Sequence, residues 1–230
     1  MKTILGVDSA TENCSAALLH DGRYYIRQKV APQQHTKLIL PMIDEILHEA
    51  GIKKTDVQAI AYGHGPGSFT GVRIAASAVQ GLSLGLNLKV QGISNLKAMA
   101  YKAYKMTGNK DALYVASIDA RMSELYLGLY RADESGALYL LADESVLPKD
   151  KAAELIKEKA GDLPIICSGT GCQVLKNEEY LEIDKIIVDF PDACSIIELA
   201  SMNIDGFTDA IEAQPVYIRN EVTWKKISQR

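Results

Sequence analysis

The sequence predicts an α/β protein made of two related units that face one another. A pattern of strand, aspartate, polar turn and strand occurs twice, with the aspartates at Asp8 and Asp119. Each copy leads through a helix to an apolar strand that runs into glycines, first around Gly65 and later around Gly169. A repeat of this kind indicates a duplicated supersecondary unit. The 230 residues, 47% of them hydrophobic, are enough for a substantial core.

The first unit opens with three short strands. Residues 3–7 form an apolar run that ends at Asp8, and a polar turn leads into a second apolar run over residues 14–20. Asp21 and Gly22 then fit a two-residue hairpin turn, because both central positions of such a turn need a positive φ. We therefore expect a third strand directly after this turn, over residues 23–29.

A helix is predicted over residues 36–50, because apolar residues recur there at helical spacing. Charged residues occupy the opposite face, and Gly51 is placed to end the helix. The apolar residues form two adjacent stripes: Leu38, Met42 and Ile46, then Ile39, Ile43 and Leu47. So wide an apolar face can pack on the protein's own sheet, or it can also serve a partner.

A glycine-rich loop and an uncharged helix follow the next predicted strand, residues 57–62. Glycines at alternate positions let the backbone turn tightly and approach another surface closely. The helix over residues 70–86 has no charged side chain from Ile74 to Leu88. Such a helix is either sandwiched in a core or held for close packing against another helix.

The glycine-rich loop matches neither of two common nucleotide fingerprints. A P-loop ends in Gly-Lys-Ser/Thr, but Ser68, Phe69 and Thr70 follow Gly67. A dinucleotide fingerprint needs a glycine where Ser68 or Thr70 stands and an acidic residue about 20 positions later, and residues 87–91 contain none. The simplest interpretation of such a loop is strand-to-helix geometry alone.

The second unit repeats the opening of the first. Residues 113–118 form an apolar run that ends at Asp119, and a polar turn leads to a strand over residues 124–130. We place the N-terminal lobe at residues 1–105, the C-terminal lobe at residues 106–215 and a tail at residues 216–230.

The overall charge is mildly acidic. A formal net charge of −4 argues against a protein that binds nucleic acid unaided, because that task needs a basic surface. The tail is the exception, and both a solvated tail and an electrostatic contact fit its composition. Against Glu221 it carries Arg219, Lys225, Lys226 and Arg230.

The cysteines indicate a reducing environment. Cys14, Cys167, Cys172 and Cys194 form no Cys-x-x-Cys pair and lie in apolar runs or beside turns, so we expect reduced core residues of a cytoplasmic protein. No signal-peptide pattern precedes Ile4. The uncharged helix carries too many polar residues to span a bilayer.

Five segments occur in an order typical of a known family. They cover residues 4–15, His35 with residues 38–43, residues 65–73, residues 119–126 and residues 215–219. On these segments the chain closely resembles the TsaB (YeaZ) family, a bacterial component of tRNA threonylcarbamoyladenosine synthesis, over nearly its whole length. The loop of family residues comprises Gly65, Pro66, Gly67, Ser68, Phe69, Thr70, Gly71 and Arg73.

The resemblance implies a fold and a set of partners. The fold is actin/Hsp70-like (ASKHA, RNase H-like), with two lobes and mixed sheets. The implied partners are the paralogous TsaD subunit, in a heterodimer, and the ATPase subunit TsaE. Contact with tRNA would occur only through that complex, in the cytoplasm and away from membranes. Alone, the chain is expected to form a homodimer.

We place the partner interface on the two apolar helices of the first lobe. Small residues on the uncharged helix permit close helix–helix approach, so a four-helix contact with an equivalent pair would bury both faces. That pair would belong to TsaD or to a second copy of this chain. The predicted interface residues are Leu38, Met42, Ile46, Ile74, Ala75, Ala78, Val79 and Leu82.

No metal site is predicted. Related TsaD subunits carry a His-x-x-x-His site after the corresponding helix, but residues 92–98 contain no histidine. Metal binding at helical spacing needs two imidazoles on one face. The histidines of this chain form no such pair; they are His20, His35, His48 and His64.

A vestigial nucleotide site is an open alternative. In actin-like ATPases the first hairpin supplies an acidic residue and hydroxyl donors to phosphate and Mg²⁺. Asp8, Ser9 and Thr11 occupy that turn here, and Asp119 occupies the equivalent turn of the second unit. Both turns lack the glycine that lets backbone approach phosphate, and Arg121 replaces a small residue. Aspartates that cap turns at strand ends are the competing interpretation.

Two classes of function follow. The first is a non-catalytic subunit that binds and activates the TsaD-type transferase, needs no cofactor, and binds ATP or ADP at most weakly at a complex interface. The second is an ATP-binding actin-like ATPase or kinase-like enzyme that acts alone. A metallo-glycoprotease would need the missing histidine pair. The altered phosphate turns and the wide apolar helical face favour the first class.

Overall fold

The computed structural model describes residues 3–176 and 181–219, which form two five-stranded mixed sheets and six α-helices. The first sheet contains β1 (Thr3–Asp8), β2 (Asn13–His20), β3 (Arg23–Val30), β4 (Ala59–Gly65) and β5 (Lys89–Ser94). The second contains β6 (Leu113–Asp119), β7 (Glu124–Ala132), β8 (Leu138–Pro148), β9 (Ile165–Ser168) and β10 (Lys185–Val188). The helices are α1 (His35–Ala50), α2 (Phe69–Leu86), α3 (Asn95–Thr107), α4 (Lys149–Ala160), α5 (Gly171–Leu175) and α6 (Ala193–Met202).

Both sheets have the same topology. The strand orders are β3-β2-β1-β4-β5 and β8-β7-β6-β9-β10, and each half of the chain runs βββαβαβα. The central strands β1 and β6 each pair antiparallel with the next strand and parallel with the fourth strand of their unit. Asp8 and Asp119 therefore end equivalent strands. The duplication is confirmed, and the two-lobed architecture is that of the actin/Hsp70-like (ASKHA) fold.

Local sequence explains the predicted elements. All six residues of β1 are buried, as expected for a central strand covered on both faces. Asp21 and Gly22 take φ values of 46° and 79°, which confirms the hairpin turn between β2 and β3. Gly51 ends α1 in the left-handed conformation. The Ser68 side chain accepts a hydrogen bond from the Gly71 N–H and caps the start of α2.

Helices α3 and α6 lie between the two sheets and contact each other. Helix α6 comes from the second half of the chain but packs on β1, β2 and β4 of the first sheet. Helix α3 comes from the first half and packs on β6, β7 and β9, as well as on β4 and β5. Each half thus supplies a helix that covers the other half's sheet. The lobe boundary placed after residue 105 stays a prediction.

The outer helices differ sharply between the lobes. Helices α1 and α2 cover the outer face of the first sheet, and α4 and α5 cover that of the second. By position in the repeat, α2 corresponds to α5. Helix α2 has 18 residues, however, whereas α5 has 5. Among the described residues, the first lobe therefore presents a long helix that has no counterpart of similar length at the equivalent position of the second.

The expectation of four reduced cysteines is wrong for one pair. Cys167 and Cys172 form a disulfide, with their Cα atoms 6.0 Å apart. Cys167 lies in β9 and Cys172 in α5, and the intervening turn brings the two backbones within disulfide distance. Cys14 and Cys194 carry free thiols. The spacing of five residues matched none of the cysteine patterns considered in the sequence, so nothing there indicated the pair.

Within residues 3–176 and 181–219, no helix is both long enough and apolar enough to cross a membrane. The predicted C-terminal tail comprises residues 216–230, and its residues 220–230 lie outside the described residues.

Candidate functional site

Three segments that carry the family resemblance meet at the edge between the two lobes. In the first lobe, the Val216 N–H donates a hydrogen bond of 2.8 Å to the His64 carbonyl oxygen, and the rings of Phe69 and Tyr217 lie 6.1 Å apart between centroids. In the second lobe, the Arg219 guanidinium donates to the Ala120 carbonyl oxygen at 3.2 Å. The C-terminal segment thus bridges the glycine-rich loop of one lobe and the β6–β7 turn of the other.

A chain of hydrogen bonds closes the base of this region. Asn95 Nδ2 donates to Asp8 Oδ1 at 2.6 Å, and Asn95 Oδ1 accepts a bond of 2.8 Å from the Gly65 N–H. A Cβ atom at Gly63 would overlap Asp8 Oδ1 and would lie 2.6 Å from Asn95 Nδ2. The glycine-rich strand end therefore allows the carboxyl and amide groups to fit directly against the backbone. Residues from β1, β4 and α3 thus pack closely together here.

Asp8 is fully buried, and its ionisation is unfavourable. Its second carboxyl oxygen, Oδ2, has no hydrogen-bond partner among the described residues. Burial raises the pKa of Asp8 to about 7, and the bond from Asn95 opposes that rise only in part. A carboxyl group that holds its proton up to neutral pH is a poor ligand for Mg²⁺ or for a cationic group.

The hydroxyl groups beside Asp8 are also turned inward. Ser9 is buried, and its Oγ donates to the Gly71 carbonyl oxygen at 2.8 Å. Thr11 is 6% exposed, and its Oγ1 has no partner among the described residues. The Ser68 N–H donates to the Ala10 carbonyl oxygen at 2.7 Å. The glycine-rich loop therefore packs directly on the turn where a phosphate would bind in an actin-like ATPase.

The equivalent turn of the second lobe is exposed and strained. Arg121, Met122 and Ser123 have φ values of 65°, 57° and 63°, which non-glycine residues rarely adopt. Asp119 Oδ1 accepts a 2.8 Å bond from the Arg121 N–H and helps to hold this conformation. Met122 is 65% exposed. Asp8 and Asp119 thus occupy equivalent positions, but Asp8 is buried and Asp119 is partly exposed.

His64 is another titratable group next to this region. Its ring lies edge-on to Tyr62, with 6.5 Å between ring centroids, and packs against Gly92. Burial lowers the pKa of His64 to about 4, so the ring is neutral at physiological pH. The neutral ring adds no positive charge for an anionic ligand.

A second buried polar cluster joins α3 to the second sheet. The Ser94 hydroxyl, which also caps α3, and the Tyr130 hydroxyl both donate to Glu144 Oε1. Burial raises the pKa values of Glu144 and Tyr130. Neither this cluster nor Asn95 was predicted from the sequence, because the metal-site pattern considered for residues 92–98 requires histidine. The Ser-Asn pair directly after an apolar strand was the available signal.

The predicted interface residues fall into two groups. Leu38, Ile74, Ala78 and Leu82 are partly exposed, as a partner contact requires. Four others are buried within the first lobe because the wide apolar face packs on the protein's own sheet, and for these the prediction needs correction. They are Met42 (7% exposed), Ile46 (0%), Ala75 (0%) and Val79 (0%).

The histidines lie apart in the fold. His20 bonds to Thr3, His35 begins α1, His48 is exposed in the last turn of α1, and His64 lies in β4. In the described ranges, 3–176 and 181–219, no cluster of three or more His, Cys, Asp or Glu side chains could hold a metal ion.

Comparison with known proteins gives a consistent result. The family model described as "TsaD: tRNA N6-adenosine threonylcarbamoyltransferase" matches residues 24–211. The chain is 42% identical to a tRNA threonylcarbamoyladenosine biosynthesis protein TsaB of Escherichia coli K12, covering 97% of each chain. It is 37% identical to the protein of the same name from Haemophilus influenzae, covering 99% of this chain and 98% of that protein.

A solved structure agrees with these matches. The structure titled YeaZ from Pseudomonas aeruginosa superposes with a TM-score of 0.85 at 36% sequence identity, over 94% of this chain and 100% of that one. Sequence and fold therefore point to the same relatives along the whole chain.

Proposed function

Because the chain belongs to the TsaB (YeaZ) family of tRNA threonylcarbamoyladenosine biosynthesis proteins, we propose that it is a non-catalytic subunit that binds and activates a TsaD-type transferase. The contact is a heterodimer through the outer face of α2 and the adjoining edge of α1. Two copies of this chain use the same face when the partner is absent, and a TsaE-type ATPase joins the assembled complex. The observation that carries this proposal is the outer face of α2.

The outer face of α2 is shaped for close approach by another helix. Ser77, Gly81 and Gly85 recur at four-residue spacing and are all exposed. No atom of the described residues lies within 4 Å of where a Cβ atom would stand at Gly81 or Gly85, apart from the helix's own backbone. An exposed glycine inside a helix costs about 1 kcal/mol relative to alanine, and no part of the chain that the structure describes uses the space. A partner helix packed against this face would use it.

Exposed apolar side chains border these glycines. Leu84 is 70% exposed, and Leu40 of α1 is 49% exposed. Leu47 of α1 lines one groove together with Leu82 and Leu86 of α2. The side of α1 that carries residues 40 and 47 therefore faces α2. Leu40 and Leu84 are therefore exposed apolar side chains on the two helices that form this face, where contact with a partner would exclude water.

The absence of catalysis is supported by the state of the ATPase-like turn. Asp8 is buried and holds its proton up to about neutral pH, and Ser9 is bonded internally. We propose that the chain needs no cofactor and that any ATP or ADP binds weakly at an interface of the complex. Burial of these groups disfavours the alternative of an ATPase or kinase acting alone. ATP hydrolysis by the purified chain that Asp8→Ala abolishes would restore that alternative.

A charge on the open face of α2 tests the interface. Gly81→Arg has room in the isolated chain and replaces a poor helix former with a good one, so the fold should be at least as stable. It should weaken association with the TsaD-type partner at least tenfold, because the arginine occupies the space meant for the facing helix. Co-purification with the partner measures association, and an assay with the assembled components measures the tRNA modification that depends on it. Ala78→Arg should act in the same direction.

Met106→Arg is the matched control, since Met106 is 62% exposed at the far end of another helix, α3. It should leave association and modification unchanged. If folded Gly81→Arg and Ala78→Arg proteins bind the partner as tightly as wild type, the interface lies elsewhere. Light scattering of the chain alone should show that the same two substitutions weaken the homodimer, because one surface serves both assemblies.

A further inference from the structure

We propose that Phe69, Arg73 and Tyr217 form a stacking platform for an unpaired base of the tRNA substrate, so that this chain contacts the RNA directly within the complex. The inference rests on the proposed function, which places tRNA beside the assembled subunits. It goes beyond that function by assigning an RNA contact to this subunit. The three side chains are called the aromatic–arginine stack below.

The aromatic–arginine stack is held together by the fold rather than by chance proximity of long side chains. The Arg73 guanidinium carbon lies 3.3 Å from the centroid of the Phe69 ring and 5.4 Å from that of Tyr217. Phe69 and Arg73 are four residues apart on α2, so they share one face of the helix. The Val216 N–H bond to His64 fixes the backbone next to Tyr217.

The stack is open to solvent although two of its three side chains are large aromatic rings. Phe69 is 64% exposed and Tyr217 is 46% exposed, and Arg73 is exposed as well. Arg73 covers one side of the Phe69 ring. An ordered backbone holds these two large rings in water, which is unfavourable unless something covers them. Their exposure therefore marks the group as a contact surface.

The charge around the stack suits a nucleic acid. Arg73 supplies an exposed planar cation at the stack, whereas the guanidinium of Arg219, two residues after Tyr217, is ion-paired with Glu124 of the second lobe. Rings and guanidinium planes that stack on unpaired bases, with flanking cations for phosphates, are how proteins hold single-stranded RNA.

The stack is distinct from the proposed protein interface on the same helix. Phe69 begins α2 and Gly81 lies twelve residues further on, about 18 Å along the helix axis. The surface around Gly81 and Gly85 is uncharged and built for a facing helix, whereas the surface at Phe69 is aromatic and cationic. An RNA loop fits the second surface better than an apolar helix does.

The test measures tRNA affinity of the complex of this chain with its TsaD-type partner, using a fluorescent unmodified tRNA transcript. Phe69→Ala and Tyr217→Ala should each weaken binding about tenfold, because each removes a stacking ring. Tyr217→Phe keeps the ring and should stay within about twofold of wild type. Arg73→Gln should also reduce the slope of log affinity against log salt by about one unit, because it removes a phosphate-attracting charge.

Met106→Ala, which removes an equally exposed apolar side chain far from the stack, should bind tRNA like wild type. If Phe69→Ala and Tyr217→Ala complexes also bind tRNA like wild type, the inference is wrong. If these variants instead lose the partner subunit while the Gly81→Arg variant keeps it, the stack is a protein contact, and both the inference and the placement of the interface fail.

Photo-crosslinking of the wild-type complex to tRNA gives a readout that does not depend on variant folding. Peptides that contain Phe69 or Tyr217 should carry crosslinked nucleotides, and peptides that contain Met106 should not. Crosslinks confined to the partner subunit would overturn the proposal. Both proposals are supported if the Gly81→Arg variant loses partner binding and the wild-type complex shows crosslinks at Phe69 or Tyr217.

Discussion

Asp8→Asn is expected to stabilise the protein at about pH 8 by roughly 4 kcal/mol more than it does at about pH 4. Burial raises the pKa of Asp8 from 3.8 in the unfolded chain to about 7 in the fold, and each pKa unit corresponds to about 1.4 kcal/mol. Below pH 3.8 the carboxyl is protonated in both states and carries no penalty. As the pH rises to 7, the unfolded chain releases the proton first, so the folded state loses stability.

Denaturant unfolding of wild type and variant across this pH range measures the effect. The difference between the two proteins isolates the Asp8 carboxyl, because other groups contribute equally to both. One such group is His64, whose lowered pKa makes the fold lose stability as the pH falls from 6.5 towards 4. The control is Asp119→Asn, at the equivalent but partly exposed position. A variant-minus-wild-type difference that stays constant with pH would show that Asp8 ionises without cost.

Two glycine-to-alanine substitutions on the same helix are expected to act in opposite directions. At Gly71 a Cβ atom would overlap the Ser9 carbonyl oxygen and lie 2.5 Å from the capping Ser68 Oγ. The α2 N-terminus and the β1–β2 turn cannot both keep their positions, so Gly71→Ala should cost about 3 kcal/mol. Gly81→Ala meets open space and should add about 1 kcal/mol of stability, because alanine favours the helix.

Thermal unfolding compares the two variants in one experiment, and the melting temperature should fall by roughly 6–12 °C for Gly71→Ala and rise by a few degrees for Gly81→Ala. Equal and small changes in both would mean that the glycine-rich loop does not pack on the β1–β2 turn. Gly81→Ala should also weaken partner binding while it stabilises the chain. Weaker partner binding together with higher stability would show that Gly81 serves association, whereas Gly71 serves folding.

Much of the fold was readable from local pattern. The apolar runs of the strands, the Asp21-Gly22 turn and the repeat around Asp8 and Asp119 each depend on neighbouring residues, and all are confirmed. The placement of α3 and α6 between the sheets was not readable. Their apolar residues indicate burial but not the sheet that covers them, because long-range packing selects among similar faces.

The sequence indicated which segments form the site but not how the fold brings them together. The glycine-rich loop, the β6–β7 turn and the C-terminal segment each stood out, yet only the folded chain brings Tyr217 beside Phe69 and Arg219 beside Ala120. Helical periodicity correctly indicated apolar faces on α1 and α2. It could not tell which residues face the protein's own sheet, so Ile46 and Val79 were assigned to the partner instead of the core.

The crossed placement of α3 and α6 means that neither lobe is an autonomous folding unit. Cleavage between residues 107 and 113 would separate each sheet from a helix that shields it, exposing apolar faces on both fragments. The two fragments should therefore be insoluble when expressed singly and recover native structure only when produced together. For the same reason the intact chain should melt in one cooperative transition, and hinge bending between the lobes should be small, because movement would slide each helix off the sheet it covers.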